Sequence, residues 1–169
     1  NEMIEEKPRK TTGPQEIEKE RDSNPQLVVP FMADIIMNLK NKETAFMPRL
    51  NYIQSQPEIN EKMRAVLVDW LIDVHAKFKM AAETLPLTVN LIDRYLDRNQ
   101  IVRQKLQLLG VSCLLIASKY EDIYPPEIKE LVKVTDNAFS KEEIMSMESE
   151  ILQSLGFSLT VGYSHLFLE

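Results

Sequence analysis

An all-α fold is predicted for this chain of 169 residues by three observations. Apolar residues recur at the i, i+3, i+4 spacing of helix faces, and each such segment is bounded by a capping residue or a breaker. No stretch alternates apolar and polar residues over strand length, the nearest approach being "FSLTV" after Gly156. No repeat of fixed period is present, which disfavours a solenoid.

Residues 1–24 hold only Met3, Ile4 and Ile17 as sizeable apolar groups among many charges. Such a segment buries too little surface to offset its ordering entropy, so it reads as a mobile tail, with a weak helix after Pro14. Six helices are expected beyond Asn24. The first runs from Pro30 to Lys42, with Phe31, Ile35 and Leu39 on one face. The second, "MRAVLVDWLIDVHAKF" (63–78), follows Asn60, a good N-cap residue. The third starts near Thr84, with Pro86 in the first turn where its missing N–H costs nothing. The fourth spans Val102 to Tyr120, until "YPP" opposes continuation. The fifth begins near Pro126 and carries Ile128, Leu131 and Val132. The sixth opens on Ser140 and Glu143, a capping-box pair, and closes before Gly156.

On a wheel the second helix is apolar over most of its circumference, with Asp69 and Asp73 marking a narrow wet side, so it is expected to be a central element of a bundle. Arg64 falls inside that apolar surface. Either it is paired with a carboxylate from a neighbouring helix, for which Asp93 is the best candidate, or its long stem carries the charge out to solvent; the wheel leaves the two equal. In the fourth helix Gly110, Cys113 and Ala117 form a face of small residues, and a helical glycine costs about 1 kcal/mol, which implies close approach of another helix. This helix is expected at the core.

The net charge of −6, with both signs mixed, argues against a nucleic-acid or membrane binder. One cysteine, Cys113, permits no internal disulfide and places the chain in a reducing, intracellular setting. The longest uncharged run, residues 106–118, is too short to span a bilayer. The chain begins with Asn1 and reads as a piece of a longer protein. Enzymatic chemistry has no visible support: His75 and His165 lack metal-ligand spacing, Cys113 sits in an apolar run, and no glycine-rich phosphate loop is present. No metal and no cofactor is expected.

In order and spacing, "MRAVLVDWLIDVHAKF", "ETLPLTVNLIDRYL", "KLQLLGVSCLLIASKYEDIYPPEI" and "VTDNAFSKEEIMSMESEILQSLGFSL" resemble the first box of the cyclins, and within them the mitotic B type. The resemblance covers residues 27–168. It implies a five-helix cyclin-box bundle preceded by one N-terminal helix: residues 1–24 as tail, 25–56 as N-terminal helix and connecting loop, and 57–169 as the first box, ending before the usual second one. It also implies that Arg64 and Asp93 form a structural ion pair.

By the same resemblance the chain is a regulatory subunit that binds and activates a cyclin-dependent serine/threonine protein kinase in mitotic (G2/M) progression, in nucleus and cytoplasm, and is not itself an enzyme. Lys119 and Glu148 match paired kinase-binding charges. Ile116, Tyr120, Phe157 and Leu159 match apolar contacts to the kinase's mobile helix, and Phe31 and Ile35 match the N-terminal helix that also touches the kinase. Met63, Val66, Leu67 and Trp70, joined by Leu106 and Gln107, match a patch that docks basic-apolar substrate or inhibitor peptides, with Asp73 and Asp69 drawing the positive charge. Without the family, Lys119 is a lysine favoured by a helix C-terminus, and the patch residues are core. The rival readings are a cyclin-like transcription platform and a helical adaptor without kinase activation. Two RxxL strings, Arg64–Leu67 and Arg103–Leu106, resemble degradation signals but fall within expected helices. The end at "YSHLFLE" leaves Leu166, Phe167 and Leu168 without their usual cover, which could promote self-association of the truncated chain.

Overall fold

The computed structural model describes residues 31–161, so the expected tail, the expected helix start at Pro30, His165 and the uncovered end expected at Leu166, Phe167 and Leu168 lie outside it. Among the described residues there are six α-helices and no strand: α1 (Met32–Ala45), α2 (Glu61–Phe78), α3 (Thr84–Arg98), α4 (Leu106–Glu121), α5 (Ile128–Val134) and α6 (Lys141–Ser154). Short 3-10 turns at Tyr52–Ser55 and Arg103–Lys105 precede α2 and α4. Among the described residues the chain divides within α1, between Lys40 and Asn41, into two compact units.

α1 carries Asp34 in its first turn and Lys42 in its last, both favourable to the helix dipole. It runs three residues beyond the expected end. Glu43, Thr44 and Ala45 offer no obstacle, and the stop comes only as Pro48 approaches, disfavouring helical backbone at Met47.

In the second unit the central element is α4, where Leu106 and every residue from Leu108 to Ser118 are buried. α2 is a flanking helix, contrary to the expectation from its wheel. Only Leu67, Leu71 and Val74 of α2 are buried, while Val66 and Ile72 stay exposed. A wheel counts apolar side chains but not neighbours, and among the described residues one flank of α2 is left uncovered. Gly110 of α4 faces Leu67 of α2, so the close approach implied by the small-residue face is made there.

Helix ends follow local chemistry where a cap lies in sequence. Asn60 Oδ1 accepts from the Met63 N–H at 3.0 Å, and Ser140 and Glu143 exchange side-chain to backbone bonds at 3.1 and 2.8 Å. α2 closes on Lys79 in the left-handed conformation, φ 52°. α4 starts later than Val102 because that residue is extended and the Arg103 N–H is taken by Glu58 Oε2 at 3.1 Å. α5 likewise starts two residues past Pro126, with Glu127 extended as N-cap in a reciprocal capping box with Glu130. "FSLTV" is not a strand. Phe157 is left-handed, φ 57°, residues 158–161 are irregular, and among the described residues no strand is available to pair with them.

Polar links fix the helices against one another. The Asp122 carboxylate, just past α4, accepts from Ala81 N at 2.6 Å and Thr84 Oγ1 at 2.8 Å, anchoring the start of α3. Buried Gln56 donates to the Leu96 and Asn99 carbonyls and accepts from Ile101 N, holding the end of α3. Tyr95 donates to Glu150, and Asn99 to Ser154 Oγ at 2.6 Å, joining α3 to α6.

Candidate functional site: a groove, a half-buried ion pair and a charged flank

The start of α2 and the turn leading into α4 enclose a groove of about 640 Å³, lined by Met63, Val66, Leu67, Trp70, Leu106 and Gln107 together with Asn60, Lys62 and Arg103. Leu67 and Leu106 are buried and form its floor, Met63 and Trp70 are half-buried walls, and Val66 is 64% exposed at the lip. The sequence-predicted patch therefore comes together, with one correction: Asp73 does not line the groove, nor does Asp69. Both are exposed further along α2. The lining charges are instead two cations that sequence reasoning did not assign to the site, Lys62 and Arg103. A signal for Lys62 existed, since it adjoins Met63 at the helix start. Arg103 sits one turn before Leu106 but was read only as part of an RxxL string. Both RxxL strings have their leucine buried, Leu67 in α2 and Leu106 at the start of α4.

Beneath the groove, α2 is tied to α3 by Arg64. Its Nε donates to Asp93 Oδ1 and its Nη2 to Asp93 Oδ2, both at 2.6 Å, a bidentate pair with the side chains 30% and 13% exposed. Tyr52, from the loop before α2, donates its hydroxyl to the same Oδ1 at 2.6 Å. The hydrogen bonds to Asp93 hold the Arg64 guanidinium charged more firmly than usual against the opposing effect of burial. Burial, reinforced by the bond to Asp93, raises the Tyr52 phenol above its ordinary value. The role of Tyr52 was not legible in the sequence, because its partner lies 41 residues away.

On the other side of α4, Lys119 Nζ meets Glu148 Oε1 of α6 at 2.6 Å, with Lys119 46% and Glu148 14% exposed. Beside Lys119 in the chain, exposed Tyr120 shares a 2.7 Å hydrogen bond with Thr160 Oγ1, which ties the segment after α6 back to the end of α4. Phe157 is exposed, thrown out by the left-handed turn at Gly156 and Phe157, while Leu159 is half-buried against the core. Ile116 departs from its expected place on this surface. It is only 3% exposed and belongs to the core, because it sits mid-helix in the fully covered part of α4. Ile123 and Tyr124, which sequence reasoning passed over, are strongly exposed just beyond α4. Phe31 and Ile35 are exposed in the first unit.

Cys113 is buried, and burial pushes its thiol well above the ordinary range, which leaves it a small core residue. His75 Nε2 lies 2.8 Å from the Ala81 carbonyl oxygen, a structural contact across the turn after α2. Among the described residues no group of three His, Cys, Asp or Glu is placed to hold a metal ion, and no helix is long and apolar enough to cross a membrane.

Comparison with known proteins follows the same lines. The profile of the cyclin N-terminal domain matches residues 34–160. The chain is 54% identical over 118 residues to G2/mitotic-specific cyclin S13-7 of Glycine max, covering 70% of this chain and 46% of that protein. It is 47% identical over 147 residues to G2/mitotic-specific cyclin-B of Marthasterias glacialis, covering 87% and 38%, and 47% identical over 146 residues to G2/mitotic-specific cyclin-1 of Antirrhinum majus, covering 86% and 31%. It thus spans 31% to 46% of the length of these relatives. The crystal structure of a viral cyclin from herpesvirus saimiri superposes with a TM-score of 0.72 at 27% identity, over 79% of this chain and 58% of that one. An all-helical bundle with this helix order, matched over most of its length by that profile and by these relatives, belongs to the cyclin family through its N-terminal domain.

Proposed function

We propose that this chain is the kinase-binding box of a regulatory subunit that binds and activates a cyclin-dependent serine/threonine kinase in mitotic progression, acting as a regulator and not a catalyst, in nucleus and cytoplasm. In kinases the lysine–glutamate pair that grips the nucleotide phosphates depends on a mobile helix, and a partner that binds only the active arrangement shifts the population toward it. The observation that carries the reading is the Lys119–Glu148 pair, held between two helices and flanked by exposed Tyr120. Two charges already fixed by each other can each offer a hydrogen bond to the backbone of an incoming helix without a large ordering cost. Tyr120, Phe157 and Leu159 supply apolar contact around them, and Phe31 and Ile35 a second contact from the N-terminal helix. The groove at Met63, Val66, Trp70 and Gln107, floored by Leu67 and Leu106, is the docking place for substrate or inhibitor peptides.

The test is a phosphorylation assay with a purified mitotic cyclin-dependent kinase, mixing in the parent chain or its Lys119→Ala, Glu148→Ala double variant. Activity that rises with the parent and not with the variant is expected. Kinase bound without any rise in activity would point to a requirement for a second box. Absence of both binding and activity would favour the adaptor or transcription-platform reading.

A further inference from the structure

The groove is electrically lopsided, and the charges that line it are the opposite of those a basic peptide needs. Lys62 and Arg103 are exposed, line the groove, and take part in no ion pair among the described residues. Among the described residues no acid lines the groove. Glu58 Oε2 accepts from the Arg103 backbone N–H at 3.1 Å, which keeps its negative charge beside Arg103. Glu61 precedes Lys62 on the helix, about 100° round the axis and on the side away from Met63. Asp69 and Asp73, exposed and outside the lining, lie further along the same helix.

On the helix wheel, Lys62, Val66, Asp69 and Asp73 fall within about 60° of one another, one stripe beside the Met63 and Trp70 walls. The stripe is cationic at the start of α2 and anionic at its far end. Lys62 and Asp73 are separated by about 16 Å along the axis, a distance that an extended peptide covers in about five residues. Leu67, Leu106 and Trp70 between them offer the apolar middle.

Resting on the docking reading above, we propose that the groove takes a bipolar extended peptide: apolar anchors in the middle, a basic residue toward Asp69 and Asp73, and an acidic residue about five positions away at Lys62 and Arg103. The acidic residue sets register and direction, because only one orientation satisfies both ends. A general attraction cannot produce this preference. The chain carries a net charge of −6, which repels an anionic peptide at long range, so any gain from an added carboxylate is local to the two cations.

The experiment uses the whole 169-residue chain and fluorescent apolar peptides with arginine at one end and glutamate five positions away, in both chain directions, each with Glu→Gln and Glu→Lys versions. For the better direction, Glu→Gln is expected to weaken binding about three- to tenfold, the range for one or two exposed ion pairs. On the Lys62→Glu, Arg103→Glu double variant the order should invert, with the lysine peptide bound best. The single variants Lys62→Gln and Arg103→Gln, at exposed side chains, keep the test interpretable should the double variant misfold, and each should remove part of the glutamate advantage. Equal binding of the glutamate and glutamine peptides, or a preference that survives charge reversal, overturns the bipolar proposal while leaving docking intact. No binding of any peptide, or equal binding to Trp70→Ala, overturns the docking reading and this proposal together.

Discussion

Gly110 of α4 lies against Leu67 of α2 so closely that a methyl group on Gly110 would stand 2.7 Å from Leu67 Cδ1. That distance sets how near the flanking helix comes to the central one, and Leu67 is also part of the floor of the groove. Gly110→Ala gains about 1 kcal/mol of helix propensity but must displace Leu67, an overpacking cost of about 1–3 kcal/mol. A net loss of up to about 2 kcal/mol in urea unfolding is expected, with weaker peptide docking. In a Leu67→Ala background the sign should reverse, since the obstacle is gone. A glycine-to-alanine change that destabilises both backgrounds equally would show that the contact is not what makes glycine necessary.

The Arg64–Asp93 pair holds α2 to α3, and Tyr52 makes it a three-member network. Asp93→Asn leaves a partly buried guanidinium short of its counter-charge and should cost about 2–4 kcal/mol, below the range for a fully buried pair. Tyr52→Phe removes one neutral donor and should cost about 1 kcal/mol. Non-additivity in the double variant, measured by denaturant unfolding, is expected because both act on the same carboxylate oxygen. Strict additivity would dissolve the network into independent contacts.

The parts of this fold that sequence reveals are those whose causes lie within a few residues. Asn60 and Ser140 cap the helices they precede, and the uncharged run from Leu106 reads at once as the buried helix. The parts that escape it depend on partners far along the chain. Asp122 anchors the start of α3 through the Thr84 hydroxyl from 38 residues away, and Gln56 holds the end of α3 from 40. The mistaken centrality of α2 has the same origin: Val66 and Ile72 look like core on a wheel, and only the arrangement of the other helices leaves them bare. At the groove the apolar residues were legible and Lys62 adjoins them in sequence, whereas Arg103 emerges only when the turn before α4 is brought beside the start of α2. Ile116 was assigned by family pattern, which does not distinguish a residue under the surface from one on it.

Alkaline pH should weaken the fold partly through two tyrosines. Burial, with a hydrogen bond to Asp93 for Tyr52 and to Glu150 for Tyr95, raises both phenols above their ordinary value. The folded state then keeps protons that the unfolded chain releases above about pH 10, so stability is fully present below that pH and falls as it rises toward the folded-state values. Urea midpoints measured from about pH 9 to pH 11 should drop less for Tyr52→Phe than for the parent, the lysine contributions cancelling in the comparison. Parallel curves would mean that the phenol ionises equally in both states.

Lys119 and Glu148 should separate folding from binding. Their ion pair is partly solvated, and such pairs contribute about 0–1 kcal/mol, so Lys119→Ala should leave thermal unfolding nearly unchanged. At a desolvated contact with a kinase the same truncation leaves a partner group unpaired and should cost about 2–5 kcal/mol of binding. A pull-down with the kinase, set beside a melting curve of each variant, reads both effects. A large loss of binding with an unshifted melt places the pair in the interface. Undiminished binding to Lys119→Ala removes it from the contact, and the kinase-facing surface would then have to be sought among the apolar residues exposed nearby in the chain, Ile123 and Tyr124 first.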